Sequence, residues 1–311
     1  MYDGCRGDVP GRGRCFSILK ITVHEGSDAH KPNGRILPYP VRLEIFVKRL
    51  LITGAAGGLG RVMRDKLASK AELLRLSDVA DLGKAKLNEE LVQCDLGDLD
   101  AVMRLVEGCD GILHLGGIST EASFSKILNA NIVGMYNLYE AARAHGHPRI
   151  IFASSNHTIG FYRQDEYIDA KAPTRPDGLY GISKCFGESI ASMYHDKFGQ
   201  ETAIVRIGSC FEEPRNHRML STWMSYDDFA GLIECVFRAP MLGCPVIWGV
   251  SNNDSAWWDN SHARFLGWHP KDNAERFRVE LEKTTPRPAP DSALAVYQGG
   301  TFVDEPIHQD D

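Results

Sequence analysis

The chain has 311 residues, of which 43% are hydrophobic and 24% charged, and its formal net charge is −6. This composition excludes a disordered chain, a collagen and a disulfide-rich miniprotein, and it predicts a globular protein with one large core or two modest ones. No basic cluster points to a nucleic acid partner, and no apolar run reaches the roughly 18 residues that a membrane span needs.

The first 46 residues are rich in Gly, Pro and Arg and show no apolar period. They end near Pro38-Tyr39-Pro40, a combination that opposes regular structure. They contain no apolar targeting core, and their acidic residues argue against a transit peptide. We therefore predict a disordered, dispensable N-terminal extension over residues 1–46, with the fold beginning near Val47.

After this extension, short apolar runs alternate with amphipathic segments. The runs predict strands at 49–53, 73–76, 90–94, 111–115, 149–153 and 203–207. Between the first two runs, Leu59, Met63 and Leu67 recur at helical spacing. Repeated strand, helix, strand order predicts an α/β fold, a Rossmann-type doubly wound parallel sheet, over residues 47–207. Residues 208–311 are predicted to form a small substrate-binding region packed on that domain.

A glycine-rich turn follows the first predicted strand and opens the first predicted helix. Its residues are Gly54, Ala55, Ala56, Gly57, Gly58, Leu59 and Gly60. A turn without Cβ atoms lets the backbone approach a pyrophosphate, and the helix N-terminus presents free N–H groups to that charge. Glycines at this spacing also occur in ordinary tight turns, but the flanking strand and helix favour a dinucleotide site.

Asp78 stands at the end of the second predicted strand, where an acidic side chain accepts hydrogen bonds from the adenosine ribose. Its carboxylate would repel the 2′-phosphate of NADP, and Val79 follows it in place of an arginine, so we predict NAD as the cofactor. Asp95 could contact the adenine, although a helix N-cap is nearly as good an interpretation. The other predicted cofactor contacts are Leu96, Leu115, Gly116, Gly117, Asn131 and Ile207.

Tyr180 and Lys184 form a Y-x-x-x-K pair that a helix would place on one face, one turn apart. A cation held near a phenol favours the phenolate, which brings Tyr180 toward the working range of a general base. Ser155 follows the fifth predicted strand, at the carboxyl edge of the sheet. A tyrosine and a lysine meet at this spacing by chance in many helices, but the glycine turn and the strand-end serine argue against chance. We therefore predict these three as catalytic residues.

Several segments of the chain resemble the uronate dehydrogenase family of the extended short-chain dehydrogenase/reductase superfamily. They are residues 154–160, 179–188, 206–210, 218–223 and 299–304. The resemblance covers roughly residues 48–311, while the first 46 residues have no counterpart. It implies an NAD-dependent enzyme that oxidises D-glucuronate and D-galacturonate at C1 to the aldarolactone, and a homo-oligomer.

The resemblance also implies roles for individual residues. Tyr180 is expected to be the base and Ser155 to orient the reacting hydroxyl, and both also contact the substrate. Lys184 is expected to hold the nicotinamide ribose and, like Tyr180, to contact the cofactor. A sugar acid needs a cationic fork for its carboxylate, for which Arg218 is the candidate and Arg215 the rival. The other implied sugar contacts are Ser119, Asn156, His157 and Ser209, each with an ordinary alternative such as a loop cap or a buried imidazole.

Other functions stay open at this point. One is an NAD-retaining sugar epimerase or dehydratase of the same superfamily, although the region after residue 207 is small for a nucleotide sugar. Another is a non-catalytic NAD-sensing protein, which would have no chemical need for Tyr180 and Lys184. A metal site is not expected, because no H-x-x-x-H pair with an intervening Glu occurs. The eight scattered cysteines lack C-x-x-C pairs, which favours reduced thiols in the cytoplasm.

Overall fold

A computed structural model of the protein describes residues 46–310. The predicted N-terminal extension lies outside the described residues, apart from Phe46. In chain order the strands are β1 (Val47–Thr53), β2 (Ala71–Asp78), β3 (Glu89–Gln93), β4 (Gly111–His114), β5 (Arg149–Ser155), β6 (Ile168–Asp169), β7 (Thr202–Ile207), β8 (Ser209–Cys210), β9 (Trp223–Met224), β10 (Val246–Gly249) and β11 (Trp258–Asp259).

Helices connect most of these strands. The α-helices are α1 (Gly58–Lys66), α2 (Leu99–Val106), α3 (Phe124–Ile127), α4 (Gly134–Ala144), α5 (Leu179–Phe198), α6 (Met219–Thr222), α7 (Tyr226–Arg238), α8 (Arg278–Thr284) and α9 (Ala293–Val296). A π-helical stretch covers Leu128–Val133, and short 3-10 helices cover Asn156–Ile159, Ser261–Leu266, Ala274–Phe277 and Gly300–Asp304.

Seven strands pair in parallel in the order β3-β2-β1-β4-β5-β7-β10. The chain runs outward from β1 to β3 and then outward on the other side from β4, so the strand order reverses between β1 and β4. In such sheets this reversal leaves a crevice beyond the carboxyl ends of the two strands. The predicted Rossmann-type doubly wound parallel sheet is confirmed.

The predicted strands all occur in this sheet, with ends that differ by at most two residues. The seventh strand, β10, was not predicted. It is only four residues long, Val246–Gly249, and it follows a proline, so its pattern does not stand out. Because β10 pairs with β7, residues after 207 contribute to the same sheet as residues before it. The division of the chain into domains at residue 207 stays a prediction.

The core lies on both faces of the sheet. Leu50 and Ile52 pack on one side with Met63 of α1 and Phe229 of α7, while Leu51 packs on the other side among residues of α2 and α4. A parallel sheet covered by helices on both faces buries successive residues of a strand, and this explains the uninterrupted apolar run of β1.

A buried ion pair joins α5 to the ends of β5 and β7. The guanidinium of Arg206 donates to both carboxylate oxygens of Glu188, at 2.9 and 2.7 Å, and the hydroxyl of Ser154 donates to the same carboxylate at 2.6 Å. Trp248 of β10 covers the guanidinium, with its ring centroid 5.1 Å away. A buried charge needs such partners, and here they hold α5 against the carboxyl edge of the sheet.

We expect Arg206→Met to lower the free energy of unfolding by about 3 kcal/mol, because Glu188 would keep its charge without a cationic partner. Urea unfolding measures this change. Lys283→Met is the control, since Lys283 forms an exposed pair with Glu280 and its loss is expected to leave the midpoint unchanged. An equal loss of stability in both variants would contradict the role of the buried pair.

Candidate active site

A cavity of about 860 Å³ opens at the carboxyl edge of the sheet. Residues at the ends of β1, β2, β4, β5 and β7 line it, as does the segment around Gly300 near the chain's end. It therefore lies over the position where the strand order reverses. The predicted catalytic residues and most of the predicted cofactor residues converge here because parallel strands all end at the same edge.

The glycine turn after β1 forms one wall of this cavity. Gly54 has a positive φ of 70°, and a Cβ at this position would lie 2.7 Å from the carbonyl oxygen of Leu115. A Cβ at Gly60 would overlap the carbonyl oxygen of Gly54. The missing side chains leave the backbone open to the cavity beside the first turn of α1, which begins at Gly58. This cradle fits the pyrophosphate of a dinucleotide.

Asp78 is held beside the glycine turn by backbone donors. Its carboxylate accepts hydrogen bonds from the N–H groups of Ala56 and Ala80, both at 3.0 Å. These bonds orient the carboxylate at the end of β2, where it lines the cavity. Val79 beside it is 61% exposed and offers no positive charge. The arrangement fits a ribose with free hydroxyls better than one carrying a phosphate.

Asp95 and Asp98 divide the two roles that the sequence left open. Asp98 is the N-cap of α2 and accepts a hydrogen bond from the N–H of Ala101 at 3.0 Å. Asp95 instead accepts from Gly97 at 2.8 Å and lines the cavity. The N-cap interpretation of Asp95 is therefore wrong, and its contact with the adenine stays a prediction.

Most of the other predicted cofactor residues line the cavity, but Asn131 does not. Those that do are Gly57, Gly58, Leu59, Leu96, Leu115, Gly116, Gly117 and Ile207. The side-chain amide of Asn131 accepts from the N–H of Ile118 at 2.8 Å and donates to its carbonyl at 2.9 Å. It also donates to the hydroxyl of Ser183 at 2.9 Å. These bonds place Asn131 behind the loop after β4, which it holds against α5.

The structure brings the three predicted catalytic residues together. Tyr180 lies in the first turn of α5 and Lys184 one turn later, and both line the cavity. Ser155, at the end of β5, lies near enough to the phenol of Tyr180 to oppose the rise in its pKa, and it also lines the cavity. The ammonium of Lys184 donates to the carbonyl of Ala153 at 2.8 Å and lies 5.6 Å from the ring centroid of Tyr180. A phenol, a hydroxyl and an amine thus share one edge of the cavity.

Burial controls the protonation of this group. It raises the pKa of Tyr180 to about 12, against the opposing effect of the hydrogen bond with Ser155. It lowers the pKa of Lys184 to about 8. The expected lowering of the pKa of Tyr180 is wrong for the chain by itself, because burial outweighs the effects that oppose it. Both groups are removed from water, which disfavours the charged form of each.

Glu121 was missed by the sequence analysis although it touches the start of the catalytic helix. Its carboxylate accepts from the N–H of Leu179 at 2.8 Å and from the N–H of Tyr180 at 3.0 Å. Gly178, the N-cap residue of α5, has no side chain to do so, and a Cβ there would overlap the carboxylate. Glu121 lies 58 residues before Leu179, so no local pattern could reveal this cap.

Arg218 is the arginine whose side chain lines the cavity. It is 8% exposed, and its Nε donates to the carbonyl of Gln298 at 2.7 Å. Its Nη2 is buried without a hydrogen-bond partner among residues 46–310. Burial lowers its pKa to about 10, although the charge of Asp177 partly opposes this effect. The rival, Arg215, is exposed and stacks on Phe211 at 3.8 Å, outside the cavity lining.

The remaining predicted sugar contacts are divided between the cavity wall and the layer behind it. Ser119, His157 and Ser209 line the cavity. Asn156 does not, and its amide donates to the carbonyl of Gln298 at 3.2 Å. Gln298, which the sequence analysis did not single out, therefore accepts from both Asn156 and Arg218. In the part of the chain that the structure describes, no group of three His, Cys, Asp or Glu side chains could hold a metal ion.

Comparison with known proteins assigns the class. The family model described as NAD dependent epimerase/dehydratase matches residues 50–225, more than half of the chain, so the protein belongs to this class of Rossmann-type proteins. Uronate dehydrogenase from Agrobacterium fabrum is 68% identical over 261 residues, which cover 84% of this chain and 98% of that protein. The protein is a member of the uronate dehydrogenase family.

Two further relatives agree with this assignment. Uronate dehydrogenase from Pseudomonas putida is 56% identical over 256 residues, covering 82% of this chain and 95% of that protein. A crystal structure of a mutant uronate dehydrogenase from Agrobacterium tumefaciens complexed with NAD has a TM-score of 0.84 and 67% identity, covering 85% of this chain and 99% of that one. The similarity thus spans the sheet, the cavity and the C-terminal segment.

The lowered pKa of Lys184 predicts a pH dependence of stability. Its folded value of about 8 lies below its ordinary value of 10.5, so between these values the unfolded chain binds a proton that the folded chain does not. Stability from this group therefore rises with pH through that window. Between about pH 7.5 and about pH 9.5, where Tyr180 in the folded chain stays neutral, we expect this group to raise the free energy of unfolding by on the order of 1 kcal/mol.

Urea unfolding of the protein and of Lys184→Met at several pH values measures this effect. The free energy of unfolding of the unaltered chain should rise relative to that of Lys184→Met as the pH increases. The two curves running parallel would show that the ammonium of Lys184 is not destabilised by burial.

Proposed function

We propose that this chain oxidises hexuronic acids, D-glucuronate and D-galacturonate, at C1 to the aldarolactone, with NAD as its cofactor. The observation that carries the proposal is the buried guanidinium of Arg218, which reaches the same cavity as Tyr180 and Lys184 with Nη2 unpartnered. A buried cation without a partner is costly, and an anionic ligand relieves that cost. The carboxylate is what distinguishes a uronate from a neutral hexose.

The cavity residues divide the work of binding. The glycine turn and Asp78 would hold NAD, and Lys184 would contact its nicotinamide ribose. Arg218 binds the substrate carboxylate, with Ser119, His157 and Ser209 as the polar groups around the sugar. The cofactor site lies at one side of the sugar ring and the guanidinium of Arg218 at the other, and together they would set the orientation of the ring. When bound, NAD would supply the acceptor for the hydride, a hydrogen with its electron pair, that leaves C1.

The proton of the C1 hydroxyl goes to Tyr180. Ser155, which lines the cavity beside the phenol, orients that hydroxyl toward the phenolic oxygen. The phenolate form of Tyr180 is disfavoured by burial, so it needs the hydrogen bond from Ser155 and the charge of Lys184 beside it. Lys184 carries that charge below its pKa of about 8. The sugar ring stays closed, so the product is a lactone.

Further parts of the proposal concern the protein as a whole. Cytoplasmic localisation is supported by the described cysteines, all of which are free. A homo-oligomer is supported by exposed apolar side chains on α4 and α5, namely Tyr136, Ile182, Met193 and Phe198. None of the helices within residues 46–310 has the length and apolarity that a bilayer crossing requires. Residues 208–311 are proposed to form a small substrate-binding region that contributes Ser209 and Arg218 to the site.

Initial rates of NADH formation test the substrate class. With D-glucuronate and D-galacturonate we expect turnover, and with D-glucose and D-galactose essentially none, because the neutral sugars lack the carboxylate that Arg218 binds. NADH should appear in proportion to the uronate consumed. Consumption of a sugar without release of NADH would instead support an NAD-retaining epimerase or dehydratase. Tight NAD binding with no turnover of any sugar would support a sensor.

Arg218→Met should raise KM for uronate by about 100-fold, because a charge-assisted contact with the carboxylate is lost. KM for NAD should stay unchanged. Steady-state kinetics with each substrate varied in turn makes this measurement. Arg215→Met, on the same segment, is the matched control and should behave as the unaltered chain, because Arg215 is exposed and is not part of the cavity lining. Equal effects on both KM values would remove Arg218 from carboxylate binding.

Tyr180→Phe should lower kcat by about 1,000-fold, since the phenolic oxygen that takes the proton is removed while the ring stays in place. Binding of NAD, followed by tryptophan fluorescence or calorimetry, should be retained. Residual kcat within tenfold of the unaltered chain, by the usual scale for a lost general base, would assign the proton to another group.

A further inference from the structure

His157 is held at one ring nitrogen by a buried carboxylate. Its Nδ1 lies 2.8 Å from Oδ2 of Asp177, whose side chain is fully buried. An ionised carboxylate can only accept, so the hydrogen of this bond belongs to Nδ1. Burial lowers the pKa of His157, which favours the neutral imidazole. In a neutral imidazole with hydrogen on Nδ1, Nε2 carries a lone pair and is an acceptor.

The ring of His157 cannot easily turn to exchange its two nitrogens. It stacks on Phe302 at a centroid distance of 3.8 Å and meets the edge of Tyr180 at 5.7 Å. His157 lines the cavity, and its Nε2 has no hydrogen-bond partner among residues 46–310. With Nδ1 occupied by Asp177, Nε2 is the nitrogen left for a ligand in the cavity.

The chain leaves room for the carboxylate of Asp177 at two separate places. A Cβ at Gly160 or at Gly299 would overlap this carboxylate, and the two glycines are joined by a backbone hydrogen bond of 2.9 Å. Oδ1 of Asp177 is buried without a hydrogen-bond partner within the described residues. A buried carboxylate contributes little to stability when one of its oxygens is bonded to a histidine and the other has no hydrogen-bond partner. Its placement is explained better by what it does to His157.

We propose that Asp177 is a positioning residue that fixes His157 as the Nδ1–H tautomer, so that Nε2 accepts a hydrogen bond from a hydroxyl of the bound sugar. This inference deepens the proposed function and rests on it, because the hydroxyl belongs to the uronate held by Arg218. In this tautomer, Nε2 of His157 binds only a hydrogen-bond donor such as a hydroxyl. The cavity therefore discriminates against a sugar that presents only an acceptor at that position. Together, Arg218 recognises the carboxylate and His157 recognises a hydroxyl.

The tautomer can be read directly by nitrogen-15 NMR of the histidines in the full chain without ligand. The signals of His157 are those that disappear in His157→Gln. We expect Nδ1 at the shift of a protonated nitrogen and Nε2 at that of an unprotonated one. Hydrogen on Nε2, or rapid exchange between the two forms, would overturn the proposal whatever the activity of the protein.

Kinetics of Asp177→Asn provide the second test. The amide fills the same space but offers a donor as well as an acceptor, so it no longer enforces one tautomer of His157. We expect kcat/KM for uronate to fall at least tenfold and KM for NAD to stay the same. In the nitrogen-15 spectrum, we expect the shifts of Nδ1 and Nε2 of His157 to move toward each other, as in a mixture of the two tautomers. Asp165→Asn, which alters an exposed pair with Arg163, is the control and should change neither.

The outcomes separate this inference from the proposed function. A chain that oxidises uronates while His157 carries hydrogen on Nε2 keeps its function and loses this role for Asp177. If the chain does not oxidise uronates but shows the expected tautomer, the proposed substrate class is wrong and the role of Asp177 in fixing the tautomer stands. Nε2 of His157 would then accept a hydrogen bond from a hydroxyl of another sugar. If Asp177→Asn fails to fold, the NMR result on the unaltered chain decides the question.

Discussion

The parallel pairing of β1 with both β2 and β4 is the constraint on which the site depends. It directs the carboxyl ends of the strands to one edge and leaves a crevice where the strand order reverses. The glycine turn, the carboxylate of Asp78 and the hydroxyl of Ser155 come from strands far apart in sequence and meet only because of this pairing. The buried pair of Arg206 and Glu188 then holds α5, with its tyrosine and lysine, against the same edge.

The site keeps three ionisable groups away from water, and burial opposes the charged form of each. Tyr180 and Lys184 are displaced toward their neutral forms, as is Arg218. None of these three groups forms an ion pair within residues 46–310, whereas Arg206 and Glu188 are joined by two hydrogen bonds. Groups destabilised in this way interact strongly with an added charge, because the surroundings screen it poorly. The chemistry therefore depends on a rigid scaffold that holds unfavourable charges in place.

Much of this arrangement could be predicted from the sequence. Local periodicity and spacing are visible in the amino-acid sequence. They are sufficient to predict the six strands, the glycine turn and the tyrosine-lysine pair. The carboxylate cap that Glu121 provides to α5 could not be predicted, since it joins positions 58 and 59 residues apart. Asn131 and Asn156 have side chains suited to binding, yet neither lines the cavity. The amide of Asn131 is bonded to the backbone of Ile118, and the amide nitrogen of Asn156 donates to the carbonyl of Gln298. Only the packing shows which polar side chains face the cavity.

By itself, the sequence determined the class of fold, the positions of six of its strands and the residue types that carry the chemistry, because each depends on short-range patterns along the chain. The tertiary structure decided the rest. It buried Arg218 in the cavity wall and left Arg215 exposed outside the lining, and it assigned the cap of α2 to Asp98, while Asp95 lines the cavity. It also reversed the expected shift in the pKa of Tyr180. The burial and orientation of these side chains depend on contacts between segments that are distant in sequence. Such contacts exist only once the chain has folded.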